Sequence, residues 1–329
     1  MKLLANKFRK IYPIFQILIS VCLLIFIFRK FHISLIGNLA EMFAPFWLIM
    51  SFILAIFVIP FLAAWRWKIL LHFSQITEKF TQLLKINFIS IFWGIILPSA
   101  DGFAAIRLYL IEKRHKQNPG KAGCTIIAEK IFGFLLLCII GIAFSFSLEK
   151  TKEITVSRII LTAIIFILIF LFLIFSSKSW QSKFSIGLKK IKFFRKPISY
   201  LLSLHNSFVR IPTGKILIHV LPIIFIFQVC TILSVYFIFR SFGVNLPFTT
   251  HLALVPIIQI ISLIPVTISG FGIREGAFVF FYRTIGISPS IAFSVSIINF
   301  LILTGVPAII GGMWSISSQI RKKDVMKNA

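Results

Sequence analysis

The chain is short of acid. Nine Asp and Glu stand against 35 Lys and Arg in 329 residues, so the formal charge is +26 and nearly every charge is positive. So few carboxylates leave little from which to build a general acid/base pair, and there is no GxSxG, HExxH, GxxxxGK[ST] or GxGxxG pattern to nominate a nucleophile, a zinc site or a nucleotide loop. Cysteine is scarce too. Cys22, Cys124, Cys138 and Cys230 lie in apolar stretches without CxxC spacing, and the six histidines are scattered, so neither a disulfide framework nor a metal site is suggested. No cofactor is expected, and the chain reads as a non-enzyme.

Charged residues of both signs amount to 13%, against about 25% in soluble domains. Apolar residues fill the space: 58% of the chain is hydrophobic, 39 residues are Phe, and the mean hydropathy is +0.99. This composition excludes an ordinary soluble fold and places the chain in a membrane. A basic nucleic-acid-binding domain would gather its charges on a face instead of leaving them between apolar runs, so the expected partner of the positive charge is anionic lipid and not nucleic acid.

Apolar runs long enough to span, about 17–25 residues each, occupy 11–28, 43–64, 124–148, 158–176, 216–239 and 288–318. The first follows Lys2, Lys7, Arg9 and Lys10 but has no small-x-small cleavage site, so it is expected to be retained as a helix. Two further stretches are shorter and broken. Residues 86–97 run into Pro98-Ser99-Ala100-Asp101-Gly102 and resume to Leu110, and residues 251–264 run into Pro265 through Gly272 and resume to Tyr282. If all eight segments crossed, Lys and Arg would divide 16 inside to 18 outside; if both broken segments return to the side they entered, the division is 26 to 8. Cytoplasmic loops are enriched in Lys and Arg. The expectation is therefore an all-α polytopic protein of six spans and two re-entrant helical hairpins, in the cytoplasmic membrane with both termini inside.

That topology makes one transmembrane domain, residues 1–329, of two halves, 11–148 and 158–318, each running span, span, hairpin, span in opposite orientation. Inverted repeats with broken helices at corresponding positions mark substrate sites near the midplane of transporters. The breaks correspond. Pro98 and Arg107 are nine residues apart, as are Pro265 and Arg274, with Gly102-Phe103 and Gly270-Phe271 between them and an Ile before each Arg. The stretch 177–215 carries nine Lys and Arg and no acid, and reads as a basic cytoplasmic loop; Ile198, Leu201, Leu202, Leu204, Phe208 and Val209 also fall on one face of an interfacial helix.

Six ionisable residues sit in or beside apolar structure: Asp101, Arg107, Glu129, Lys130, Arg274 and Glu275. An intramembrane charge is costly and normally faces a partner or a polar cavity. A helix restarting after Gly102 or Gly272 directs unpaired N–H groups toward the break, and an arginine nearby adds planar two-pronged donation suited to a phosphate. Gly270 lets backbone approach a ligand, Pro98 and Pro265 set the breaks, and Thr267 and Ser269 offer hydroxyls. The competing reading is that both arginines reach to the interfaces and the breaks are turns. Trp65-Arg66-Trp67-Lys68 reads as an interfacial aromatic belt with snorkelling cations.

At these residues the sequence resembles the flippase-like family named for the transmembrane region of lysylphosphatidylglycerol synthase. The matching pieces are Arg66 with Leu70, Asn87 through Pro98, Gly102 and Arg107, Ala128-Glu129-Lys130, and Ile264-Pro265 through Gly270-Phe271-Gly272-Ile273-Arg274-Glu275. Lys130 stands where the family commonly has Arg, and Gly133 where an acid is common. The resemblance implies a membrane domain that moves lipids or lipid-linked intermediates between leaflets. With Ala329 about ten residues past the last span, it implies a stand-alone member without the aminoacyl-transferring domain. The expected substrate is an anionic phospholipid or a polyprenyl-phosphate-linked lipid; the alternative is a non-transporting accessory subunit of an envelope-biosynthesis glycosyltransferase.

Overall fold

In lipid, a backbone can satisfy its own polar groups only as helix or closed barrel, and a chain with unbroken apolar runs takes the first course. The structure, a computed structural model, describes residues 2–31, 44–97, 102–115, 120–149, 151–176, 203–209, 213–264 and 266–327. Pro98, Asp101, Pro265 and most of the basic stretch 177–215 lie outside them. Among the described residues every regular element is helical: α1 (Lys2–Phe31), α2 (Pro45–Phe73), α3 (Phe80–Ile96), α4 (Gly102–Arg114), α5 (Lys121–Ser145), α6 (Lys152–Ser176), α7 (Thr213–His219), α8 (Leu221–Ser241), α9 (Phe248–Ile261), α10 (Ile273–Arg283) and α11, which begins at Pro289 and continues to Lys327.

Five of these, α2, α5, α6, α8 and α11, are long and apolar enough to cross a membrane. The sixth expected span, 11–28, lies within α1. Large apolar side chains such as Phe57, Phe166 and Ile218 are turned outward, as lipid-facing residues must be. This is an integral membrane protein. The two broken stretches take the form of shorter helix pairs, α3 with α4 and α9 with α10.

Glycine decides how closely the pairs approach. A Cβ on Gly102 would lie 2.5 Å from the Gly94 carbonyl oxygen, so α3 and α4 meet backbone to backbone there. In the second pair Gly270, at φ +76°, abuts the Ser262 carbonyl at the end of α9, a conformation and a clearance open only to glycine. The first arms are then embedded crosswise: α3 packs on α11, where Gly311 presses against the backbone of Phe88, and α9 packs on α5, where Gly141 meets Pro256. Each arm thus lies against the closing long helix of the other half.

α2 and α11 each carry a π turn, Leu54–Val58 in α2 and Leu301–Gly305 in α11. Pro60 and Pro307 follow at once. A proline ring collides with the carbonyl four residues back, and the wider π turn absorbs the collision without ending the helix. The two turns lie against one another. Within the stretch 197–212, the described segment 203–209 is helical and turns Leu204 and Phe208 into a cluster with Leu70, Cys124 and Ile224, so this part docks on protein.

Candidate functional site

The first half of α5 is lined with small residues, Ala122, Gly123, Cys124, Thr125 and Ala128, all buried. Neighbouring helices can therefore close in around Glu129. Two arginines do so from different elements. Arg107 on α4 makes a two-pronged contact, its terminal nitrogens 3.2 and 2.9 Å from the Glu129 oxygens, and Arg66 on α2 reaches the same carboxylate at 2.6 Å. Arg66, Arg107 and Glu129 are 8%, 2% and 6% exposed, so three helices are tied together through charges withdrawn from lipid and water.

Aromatic rings complete the mounting. The Arg107 guanidinium lies 4.0 Å from the centre of the Trp67 ring, and Trp67 Nε1 donates to Thr125 Oγ1 at 3.2 Å, one turn before Glu129. Arg66 lies 3.9 Å from the Phe227 ring on α8. Stacking of this kind neutralises part of the burial cost of a guanidinium and fixes its plane. Arg66 Nε and Arg107 Nε nevertheless stay buried with no partner among the described residues.

Arg274 is mounted differently. Its guanidinium sits 4.5 Å from the Phe300 ring and 5.2 Å from Phe271, and its Nε donates to Glu275 Oε1 at 3.0 Å. Glu275 is fully buried, and its other oxygen accepts the Gly272 N–H at 2.5 Å, so this carboxylate caps α10 while it holds Arg274. The N-terminus of α10 is thereby occupied by its own acid.

Arg66, Arg107, Glu129, Lys130 and Arg274 line one cavity of about 350 Å³. Its walls are otherwise mostly apolar, from Phe103, Ile126, Phe134, Leu137, Phe227, Val255, Ile258 and Phe278. Polar contributions come from Gln228, which donates to the Gly133 carbonyl at 3.2 Å, from Gln259 and Ser262, and from Asn299, whose Oδ1 is buried with no partner among the described residues. Four cations face one carboxylate, with Glu275 behind Arg274. The arrangement suits an anion that carries an apolar chain.

Of the residues expected from sequence, Arg107, Glu129, Lys130 and Arg274 thus converge on one space. Glu275, Gly102, Gly270 and Gly272 stand behind it, shaping the helix ends. Asp101, Pro98 and Pro265 lie outside the described residues. Thr267 is fully buried, its hydroxyl unpartnered among the described residues, but neither it nor Ser269 is on the cavity wall. The belt reading of Trp65-Arg66-Trp67-Lys68 needs correction for half its members: Trp65 and Lys68 face outward, whereas Arg66 and Trp67 turn inward. The missing signal was helical phase, since Arg66 is one turn from Leu62, Ala63 and Leu70, all buried.

The chain matches the family described as the lysylphosphatidylglycerol synthase TM region over residues 14–311. It is also 25% identical over 276 residues to a UPF0104 membrane protein of Methanothermobacter thermautotrophicus, covering 78% of this chain and 81% of the relative. A UPF0104 membrane protein of Pyrococcus horikoshii is 26% identical over 270 residues, 75% of this chain and 80% of the relative. One from Methanocaldococcus jannaschii is 29% identical over 211 residues, 60% of this chain and 81% of the relative. No solved structure matches. The chain belongs to the lysylphosphatidylglycerol synthase transmembrane-region family.

Proposed function

We propose that this member of the lysylphosphatidylglycerol synthase transmembrane-region family translocates an anionic phospholipid or a polyprenyl-phosphate-linked lipid across the cytoplasmic membrane, without chemically changing it. The observation that carries the reading is the cavity in which Arg66, Arg107, Lys130 and Arg274 meet between apolar walls, with two buried guanidinium N–H groups unpaired among the described residues. A lipid phosphate fills that need. It accepts the free N–H groups, its charge offsets the excess of cations, and its chain lies along the Phe and Leu surface. Glu129 serves as the resting counter-ion that the phosphate displaces.

In this reading α1, α2, α5, α6, α8 and α11 cross the bilayer, the pairs α3–α4 and α9–α10 are re-entrant from opposite sides, and the halves 11–148 and 158–318 form an inverted repeat. Arg107 then approaches the cavity from the cytoplasmic hairpin and Arg274 from the outer one, so the phosphate is passed between them. Movement is downhill or driven by a gradient. Both termini lie in the cytoplasm.

The test is native mass spectrometry of the purified chain beside Arg107→Ala and Arg274→Ala, followed by a vesicle flipping assay with whichever lipid is retained. One anionic lipid held by the wild type and lost in both variants is the expected result. Equal, nonspecific lipid in all three overturns the site and favours the accessory-subunit reading. For the topology, Lys116→Cys in a chain relieved of its four native cysteines is expected to be protected from an external impermeant thiol reagent; labelling from outside overturns the first hairpin.

A further inference from the structure

A second cavity of about 560 Å³ lies away from the central one, as a groove between α1 and α10. Gly276 lies on its wall, where a Cβ would reach ordinary contact, 3.5 Å, with Ile27 Cδ1, so a bulkier side chain there would take up groove space. At one end stand two cations. Lys30 Nζ and the Arg283 guanidinium each lie 5.7 Å from the centre of the Phe31 ring, and both side chains are exposed. Among the described residues no carboxylate lines the groove.

We propose that this groove is a docking site for a single anionic phospholipid, whose phosphate sits on Lys30 and Arg283 and whose acyl chain lies along Gly276. The apolar length calls for a chain, and two cations beside one aromatic ring, without an acid, call for a negative headgroup. Position gives the site a purpose. At the other end of the groove α1 rests on the break itself, with Leu23 Cβ 2.7 Å from where a Gly272 Cβ would be, and Arg274, two residues on, lines the central cavity. The first turn of α10 is therefore the partition between groove and cavity, and a lipid in the groove lies at the side door of the second helix pair. The proposal stands on the groove alone and does not require that the central cavity carry lipid.

The experiment is a native mass-spectrometric titration of the full-length protein in detergent with phosphatidylglycerol and, separately, phosphatidylcholine. Wild type is expected to take up phosphatidylglycerol preferentially. Lys30→Gln/Arg283→Gln is expected to lose one phosphatidylglycerol adduct, with binding weakened about fivefold per charge removed, while Arg107→Ala keeps that adduct. Gly276→Leu, which fills the groove but leaves both cations, is expected to lose the same adduct at an unchanged melting temperature. Isotherms of the double-charge variant that superimpose on wild type overturn the proposal, as does equal uptake of phosphatidylcholine. A triple variant that joins Lys30→Gln/Arg283→Gln to Arg107→Ala and loses no more phosphatidylglycerol than Arg107→Ala alone assigns the adduct to the central cavity and also overturns it. An Arg107→Ala variant with no change at all, beside a double-charge variant that loses its adduct, refutes the central reading and leaves the groove standing.

Discussion

Glu129→Gln is the perturbation that bears hardest on the site. The carboxylate is 2.6 Å from Arg66 and 2.9 Å from Arg107 at nearest approach, and all three residues are nearly buried. With unit charges centred about 4 Å apart and an effective dielectric of about 20, each attraction is about 4 kcal/mol. Glu129→Gln loses both but is spared the several kcal/mol that burying the carboxylate costs, which leaves about 4 kcal/mol net. That agrees with the about 3–5 kcal/mol typical of removing one partner from a buried pair. At about 2 °C per kcal/mol for a chain of this size, the melting temperature in detergent, followed by tryptophan fluorescence, is expected to fall by roughly 6–10 °C. Exposed Glu149→Gln serves as a control that leaves it unchanged. A soluble lipid phosphate, dodecyl phosphate, is expected to raise the melting temperature of Glu129→Gln more than that of wild type, because it takes the vacated place between the arginines. A fall of less than about 2 °C, or rescue no larger than in wild type, would refute the argument that Glu129 stands in for a bound anion.

Trp67→Phe keeps a ring under Arg107 but removes the donor to Thr125, so a loss of about 1 kcal/mol in chemical denaturation is expected, whereas Trp67→Ala should cost about 3–5 kcal/mol and abolish specific lipid retention. Gly311→Ala drives a Cβ into the Phe88 carbonyl oxygen and is expected to split α3 from α11, seen as loss of a monodisperse peak in size-exclusion chromatography; Gly214→Ala, with no described residue within 4 Å, should elute as wild type. Between α2 and α3, burial works to raise the Glu78 carboxyl, but the hydrogen bonds and charges of Arg114 and His115 outweigh it and hold it below the ordinary carboxylate range. A depressed carboxylate contributes stability above its unfolded value and loses it as pH falls through the folded one. The melting-temperature gap between wild type and Glu78→Gln is therefore expected to be full near neutral pH and to close on acidification; a gap independent of pH speaks against the ion cluster.

Much of the site was legible because charge inside an apolar run is rare and must be accounted for. Arg107, Glu129, Lys130 and Arg274 stand out for that reason, and they line one cavity. Arg66 escaped because it ends an apolar run beside Trp and Lys, where a cation ordinarily reaches for the interface; only its phase on α2, in register with Ala63 and Leu70, distinguishes it from Lys68. Gln228 and Asn299 are ordinary polar residues in long helices, and no local pattern says which face turns inward. The helix pairs were foreshadowed by Pro and Gly, but the crosswise seating of α3 on α11 and α9 on α5 depends on Gly311 and Gly141, whose partners are far away in sequence. The π turns follow from Pro60 and Pro307, yet a proline alone does not tell a kink from a helix end.

The two arginines that face the cavity from the two helix pairs are held by carboxylates in unlike ways, and the difference has a mechanical consequence. Arg274 is paired to its immediate neighbour Glu275 on the same helix, so a ligand can draw Arg274 away by side-chain rotation while Glu275 goes on capping α10 through Gly272. Arg107 and Arg66 are paired to Glu129 across three helices, so a ligand that takes these arginines removes the charge link between α2, α4 and α5 at once. Other ties remain: the Trp67 to Thr125 hydrogen bond, the hydrogen bond from the Gly120 N–H at the start of α5 to Glu112 on α4, and the buried cluster of Ala64, Trp67, Leu71, Ile111 and Ala122. Displacing Glu129 therefore removes the charge link between the first helix pair and α5 while these ties hold, whereas engaging Arg274 leaves the carboxylate cap of the second pair in place. Under the proposed function, anion binding at the two ends of one cavity is in this way asymmetric: one end breaks a charge link across three helices, and the other draws on a single side chain.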